Sequence, residues 1–460
     1  MIRSSLAVAA RWVGGDLVGG DADFGGVGID SRTIGPGQLF VALRGERFDA
    51  HAFVGDALAR GAIGAIVERP LTAHAIRQIV VPDSLRALGD LARAWRGALH
   101  ARVVGVTGSN GKTTTRTLIQ AVLAVAGRTG GSSGNLNNEI GLPLSVLRLD
   151  RELDHAVLEM GCGKPGDIAY LAAIARPDVG VVTNVGPAHL ERMGSLEAIA
   201  HTKAEMYDAL PATGIGVVNA DDAFAPLFRE RLGARRRVEF GLAGMPDVTA
   251  RDLVLDGGRS RFTILLPGAK AAVDLPLPGR HNVANALAAA AAGHALGLSA
   301  DQIVAGLEST PGVAGRLARI AVAGGVIYDD SYNANPASVK AGIDTLVLEP
   351  GRHWLVLGDM RELGTAERAL HAEVGDYARA RGVERLFATG SLAEAAVAAF
   401  GPGATSFPDR AALAAALAAG IGPGIRVLVK GSRGSAMDDV VTRVLAAHGI
   451  AHVGGKSHAV

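Results

Sequence analysis

Short β-branched runs and longer stretches with helical spacing alternate along most of the chain, the pattern of an α/β protein. Over residues 1–100, apolar runs at Gln38 to Leu43, Ala62 to Val67 and Gln78 to Val81 alternate with helical stretches at His51 to Arg60 and Ser84 to Leu99. This predicts a small N-terminal α/β domain. Residues 101–314 open on a strand from Arg102 to Thr107, pass a Gly-rich turn, and enter a helix from Thr113 to about Ala126. Buried strands are expected at His155 to Glu159, Asp178 to Asn184 and Ile215 to Asn219, making a central, P-loop-type, doubly wound and mainly parallel sheet. Arg237 to Phe240, Asp247 to Leu255 and Arg261 to Leu266 are separated by Gly, Pro and Asp, and read as a small antiparallel appendage. A Gly/Pro stretch from Pro311 to Arg316 marks the second boundary. Over 315–460, strands at Val326 to Asp330, His353 to Leu357, Arg385 to Thr389 and Arg426 to Lys430 alternate with helices such as Ala411 to Ala419, which predicts a C-terminal Rossmann-like domain.

Composition narrows the class. A chain of 460 residues, 48% hydrophobic and 20% charged, can bury several cores. A formal net charge of +1 gives no sign of nucleic acid or of an anionic membrane as partner. The single cysteine, Cys162, excludes an intrachain disulfide and a multi-Cys metal site, and reads as a small filler residue. The N-terminus runs into Arg11, Trp12 and Asp16 without a full apolar core, and no long uncharged apolar run follows. A cytoplasmic enzyme is expected. Only 7 of the 46 basic residues are lysine, so a lysine inside a motif stands where a guanidinium would not serve.

The strongest local signal is Gly105-Val-Thr-Gly108-Ser109-Asn110-Gly111-Lys112-Thr113-Thr114, between a predicted strand and a predicted helix. Glycines let the backbone wrap phosphate oxygens, and the helix start supplies free amides. Lys112 is expected on the β- and γ-phosphates and the Thr113 hydroxyl on Mg²⁺. Val106 stands where the usual phosphate loop has its first glycine.

That T-G-x-x-G-K-T form resembles Mur ligases and folylpolyglutamate synthetases. Further segments resemble the Mur ligase family in order along nearly the whole chain: Asn135-Leu-Asn137-Asn138-Glu139-Ile-Gly, Glu159-Met-Gly161, Thr183-Asn184-Val-Gly-Pro-Ala-His189, Lys203, Gly279-Arg-His-Asn282-Val-Ala-Asn285, Gly315-Arg316, Asp329-Asp330-Ser-Tyr-Asn333-Ala-Asn335-Pro336 and Lys430-Gly-Ser-Arg-Gly. The resemblance implies metal-binding roles for Glu159, His189 and Lys203, the last where the family carries a lysine carbamylated by CO₂. It also implies contacts from Asn282, Asn285, Arg316 and Asp330 to ATP, and from Asn137, Asn138, Asn333, Asn335 and Lys430 to substrate. Asp30-Ser31-Arg32 resembles the family's uridine-nucleotide region, so UDP is expected at Ser31 and Arg32. Cys162-Gly163 departs from the family's Ala-Asn after E-M-G.

The implied activity is ATP-dependent amide ligation through an acyl phosphate, with Lys112, His189, Lys203 and Arg316 catalytic and two Mg²⁺ ions required. Asn335-Pro336-Ala337, lacking the Asn-Pro-Arg of the tripeptide-forming member, points to D-alanyl-D-alanine joining UDP-N-acetylmuramoyl-tripeptide, in a monomer. Tripeptide synthesis, glutamate addition to folate, and a P-loop ATPase acting on a partner are the competing readings.

Overall fold

The structure, a computed structural model, describes residues 1–45, 48–72, 76–187 and 190–451. His189 therefore lies outside the described residues.

Three α/β units follow one another. In the first, strands Asp16–Val18, Gln78–Val80, Gly64–Val67, Leu39–Val41 and Val27–Gly28 lie side by side in that order. All neighbours are parallel except Asp16–Val18, which is antiparallel to Gln78–Val80. Sequence patterning did not resolve the helix Leu6–Val13, capped by Ser5 and stopped by Gly14 in the left-handed region.

The central unit is a six-stranded parallel sheet in the order Arg236–Phe240, Ile215–Asn219, Val179–Val182, Arg102–Thr107, His155–Glu159, Thr129–Gly131. Chain order reverses at Arg102–Thr107, so the glycine-rich loop that follows this strand opens at a topological switch point, where open α/β sheets bind ligands. One expectation is corrected. Arg237 to Phe240 belongs to this parallel sheet and not to the antiparallel appendage, because helix Ala225–Leu232 carries the chain back to pair Val238 with Val217. The antiparallel sheet is Thr249–Leu255, Ser260–Leu266 and Ala269–Leu275.

The third unit orders Ala318–Val322, Gly325–Asp329, Ile425–Lys430, Arg352–Gly358, Arg385–Thr389 and Ala404–Phe407, with only the first strand antiparallel.

The joints between units differ. A single apolar cluster runs from Ile2, Leu6 and Trp95 in the first unit to Leu142, Leu147 and Ile168 in the second. Trp95 is buried within it and its indole N–H donates to the Leu149 carbonyl at 3.2 Å. Arg96 reaches the end of helix Asp167–Ala175, donating to the carbonyls of Ala175 at 2.8 Å and Arg176 at 3.2 Å, where a cation meets the negative helix end. The third sheet instead has separate clusters on its two faces, built from residues 317–445. Trp95→Ala should therefore cost about 3–5 kcal/mol. Hydrogen exchange should show the first and central sheets losing protection together while Ile425–Lys430 keeps its own; unchanged exchange in the central sheet would contradict a shared core.

Candidate active site

The strand Arg102–Thr107 delivers the chain into a loop whose backbone leaves no room for side chains. A Cβ at Gly108 would lie 1.8 Å from Thr183 Oγ1, and one at Gly111, whose φ is 78°, would lie 2.3 Å from Asn285 Oδ1. The loop is braced by the neighbouring strand end: the Ser109 N–H donates to the Asn184 carbonyl and the Asn110 N–H to Asn184 Oδ1, both at 2.9 Å. The Thr183 hydroxyl donates to the Asn110 carbonyl at 2.7 Å. Helix Lys112–Ala124 starts at Gly111 with no side chain capping it, so its first amides are left for an anion.

Lys112 folds back onto this loop, its ammonium donating to the Gly108 carbonyl at 3.0 Å. Burial, and then the field of Lys203, push its pKa down to about 8. Thr113 donates its hydroxyl to Glu159 Oε2 at 3.0 Å, and Asn137 donates its amide to Glu159 Oε1 at 2.8 Å. Arg116, which sequence reasoning missed, sits 3.7 Å from the same carboxylate in a buried ion pair. Adjacent hard oxygens from Thr113 and Glu159 fit a Mg²⁺ ion arriving with a triphosphate, the usual mode for that cation. Among the described residues no cluster of three or more His, Cys, Asp or Glu forms a ready-made metal cage. Lys203, on helix Leu196–Asp208, is buried one side chain behind the wall, 3.5 Å from Cys162 Sγ. Cys162 is thus more than a filler: it borders the cavity between Lys203 and solvent.

The third unit closes the opposite side. Asn335 caps helix Pro336–Leu346 through Oδ1 and donates Nδ2 to Asn110 Oδ1 of the phosphate loop at 2.7 Å. The Glu191 N–H donates to the Glu362 carbonyl at 3.3 Å. Lys430 is buried and bonded to Asp330 and to the Asn333 carbonyl, so it braces two loops. Arg316 lies over the ring of Tyr332. His281 is half-buried, and desolvation pushes its pKa down to about 4, which keeps it neutral beside Asp330 at pH 7. Together these groups line a cavity of about 1110 Å³, larger than one ordinary small ligand needs.

Three family descriptions match in succession: the Mur ligase family catalytic domain over residues 23–96, the Mur ligase middle domain over 106–293, and the Mur ligase glutamate ligase domain over 315–433. The UDP-N-acetylmuramoyl-tripeptide–D-alanyl-D-alanine ligase of Escherichia coli (strain K12) is 42% identical over 445 residues, 96% of this chain and 98% of that protein. The chain belongs to the Mur ligase family. The ligase of the same name from Bacillus subtilis (strain 168) is 37% identical, over 96% of this Mur ligase and 98% of the relative. The crystal structure of MurF from Acinetobacter baumannii superposes with a TM-score of 0.92 at 33% identity, over 97% of this chain and 99% of that one. MurF ligase from Thermotoga maritima, in complex with ADP, gives 0.84 at 32% identity, over 92% and 98%.

Of the residues singled out in the sequence, Ser109, Asn110, Gly111, Lys112, Thr113, Thr114, Asn137, Asn138, Glu159, Asn282, Asn285, Arg316, Asp330, Asn333, Asn335 and Lys430 all border this one cavity. Asn282 and Asn285 do share a helix face, the Asn285 amide donating to Asn282 Oδ1 at 3.1 Å, and Asn285 also accepts from the Thr115 hydroxyl beneath the phosphate loop. Ser31 and Arg32 do not border the cavity; they follow strand Val27–Gly28, and Arg32 is exposed and paired with Asp30. Missed were Arg116, which pairs with Glu159, and Asn184, His281, Tyr332 and Arg433, which border the cavity from inside recognised motifs.

The depressed Lys112 pKa has a measurable consequence. Phosphates favour the ammonium, so above about pH 8 binding must return a proton to it. Calorimetry of ATP binding at pH 8.5 in buffers of different ionisation enthalpy should show uptake of up to about one proton, lost in Lys112→Met, and affinity should fall as pH rises. Binding without proton uptake would contradict the assignment.

Proposed function

We propose that this Mur ligase joins D-alanyl-D-alanine to UDP-N-acetylmuramoyl-tripeptide at the expense of ATP, producing the pentapeptide precursor of peptidoglycan. The observation that carries this reading is that one cavity collects the phosphate loop, the Asn137–Glu159 pair and the C-terminal residues Arg316, Asp330 and Arg433. Nucleotide, carboxylate and amine can therefore meet without leaving it. The near full-length likeness to ligases of that name supports the substrate assignment.

Free carboxylates are poor electrophiles, so the terminal carboxylate of the tripeptide attacks the γ-phosphorus of ATP and ADP leaves. Lys112 and the amides of the Gly111 loop hold the phosphates, and Arg316 disperses charge on the transferring group. The dipeptide amine then attacks the acyl carbon; a tetrahedral intermediate forms, and its C–O bond to phosphate breaks as the amide is completed. Magnesium, when bound, neutralises phosphate oxygens, and Thr113 and Glu159 would hold it. Lys203 would join them as a carbamate. Its side chain is buried, with Cys162 in front of it. Asn282 and Asn285 form the floor beside the nucleotide. The uridine diphosphate end is assigned to the carboxyl edge of the first sheet, at Ser31 and Arg32, and the reaction to the cytoplasm, where ATP is available. No helix among the described residues is long and apolar enough to cross a membrane.

Phosphate release with UDP-N-acetylmuramoyl-tripeptide and ATP should require D-alanyl-D-alanine; turnover indifferent to the dipeptide would leave only an ATPase. Separately, Lys203→Ala should lower kcat by about 10²-fold or more and be partly restored by acetate or other short acids. Wild-type rates without added acid would exclude the carbamate.

A further inference from the structure

The C-terminal unit meets the central one along a seam built on glycines. Gly257 lies in the turn between Thr249–Leu255 and Ser260–Leu266 of the antiparallel sheet. A Cβ there would stand 2.4 Å from the Tyr328 hydroxyl and 2.6 Å from Glu349 Cβ. Tyr328 is fully buried, and its hydroxyl reaches the Gly257 carbonyl at 2.7 Å. Gly279 repeats the arrangement: a Cβ there would stand 2.3 Å from Thr345 Oγ1, on helix Pro336–Leu346. That helix begins at Asn335, whose amide touches the phosphate loop.

The Tyr328 hydroxyl has one proton and two acceptors, the Gly257 carbonyl and the Glu349 carboxylate. Glu349 is already paired with Arg319 at 3.0 Å and Arg426 at 2.6 Å, so the proton can go to the carbonyl. Burial, and then Glu349, hold the phenol well above its ordinary pKa, so it stays a donor. With the units apart, the same proton falls to Glu349 and water takes the carbonyl, so no buried group is stranded. Strand register carries the contact to the site. Tyr328 pairs with Arg319, and Asp329 with Ala318. Asp330 follows Asp329 and Arg316 stands two residues before Ala318, so both leave the open end of this hairpin. At about 3.3 Å per residue, Asp330 stands roughly 7 Å along the strand from Tyr328. The hairpin is thus a short arm, held at Tyr328 and ending in the two residues assigned to ATP.

We propose that Gly257 is the seat of the C-terminal unit and Tyr328 its positioning residue, a contact that sets how far Arg316 and Asp330 stand from the phosphate loop. Resting on the ligase reading above, this assignment gives the antiparallel sheet a part in the reaction, although none of Thr249–Leu255, Ser260–Leu266 or Ala269–Leu275 borders the cavity.

The test is the split between kcat and KM in full-length variants. Tyr328→Phe keeps the ring and removes the hydroxyl. It should lower kcat for ligation by about 3- to 10-fold, as for one hydrogen bond made in the reacting arrangement. The KM for UDP-N-acetylmuramoyl-tripeptide should stay within about twofold, because the first unit holds its uridine end. Gly257→Ala fills the seat and should lower kcat by about 10- to 100-fold, the range expected of an overpacked contact. Its backbone lies outside the left-handed region, so the turn itself accepts alanine. Gly258→Ala is the control and should match wild type: a Cβ there would meet nothing among the described residues nearer than Asp256 Oδ1 at 3.6 Å. Added to Gly257→Ala, Tyr328→Phe should cost nothing further, because the contact is already lost. Calorimetric binding of UDP-N-acetylmuramoyl-tripeptide reports that each variant is folded; if Gly257→Ala is not, Tyr328→Phe decides alone. Wild-type kcat in Tyr328→Phe overturns the proposal, as does a loss confined to KM. So do independent, multiplying effects in the double variant, or a Gly258→Ala defect equal to that of Gly257→Ala. A wild type that forms no amide from ATP and both substrates overturns the parent reading as well, before any variant is compared.

Discussion

Lys112 is a half-buried cation at the start of a helix whose free amides are also positive, and Lys203, buried behind the wall, adds to the same field. Left alone, such a group is costly, which is why its pKa falls to about 8 and its protons turn back onto the Gly108 carbonyl. Much around it follows from this. The glycines at 108 and 111 let the backbone close around a phosphate, Asn184 and Thr183 hold the loop open in that shape, and Arg116 balances Glu159 at its side. The cradle is preorganised for a polyanion, so little reorganisation is needed when one arrives.

The rest of the architecture determines what can reach that cradle. The first unit is fused to the central one through an apolar core around Trp95, whereas the third touches it through polar contacts: Asn335 to Asn110, the Glu191 amide to the Glu362 carbonyl, and the Tyr328 hydroxyl to the Gly257 carbonyl at 2.7 Å. An apolar joint of the first kind is expected to be rigid, and a set of separate hydrogen bonds can be exchanged for water at little cost. Closure of the third unit would bring Arg316 to the phosphates and opening would release product. Asn335 connects the two states to the nucleotide, since one amide side chain both caps its own helix and touches the phosphate loop.

What could be read from the sequence was local. The phosphate loop announces itself because strand, glycines, lysine and helix are contiguous, and Glu159 stands at the end of a strand whose bounds the apolar run delimits. Pairing was less legible. Arg236–Phe240 carries the same alternation whether it joins a parallel edge or an antiparallel hairpin, and the Gly-, Pro- and Asp-rich stretch after it favoured the wrong choice. Strands of two or three residues, as at Val27–Gly28, are too short for any periodicity to register. Contacts spanning a hundred residues were invisible: nothing in Lys430 itself indicates that Asp330 occupies its ammonium, nor in Tyr332 that two arginines share its ring.

If the phosphate loop serves to activate a carboxylate, an oxygen atom must pass from that carboxylate to phosphate. With oxygen-18 in the terminal carboxylate of UDP-N-acetylmuramoyl-tripeptide, ATP and D-alanyl-D-alanine present, phosphorus NMR should find one labelled oxygen in each phosphate released and the other retained in the new amide. Unlabelled phosphate accompanying amide formation, or phosphate released with no amide, would contradict it.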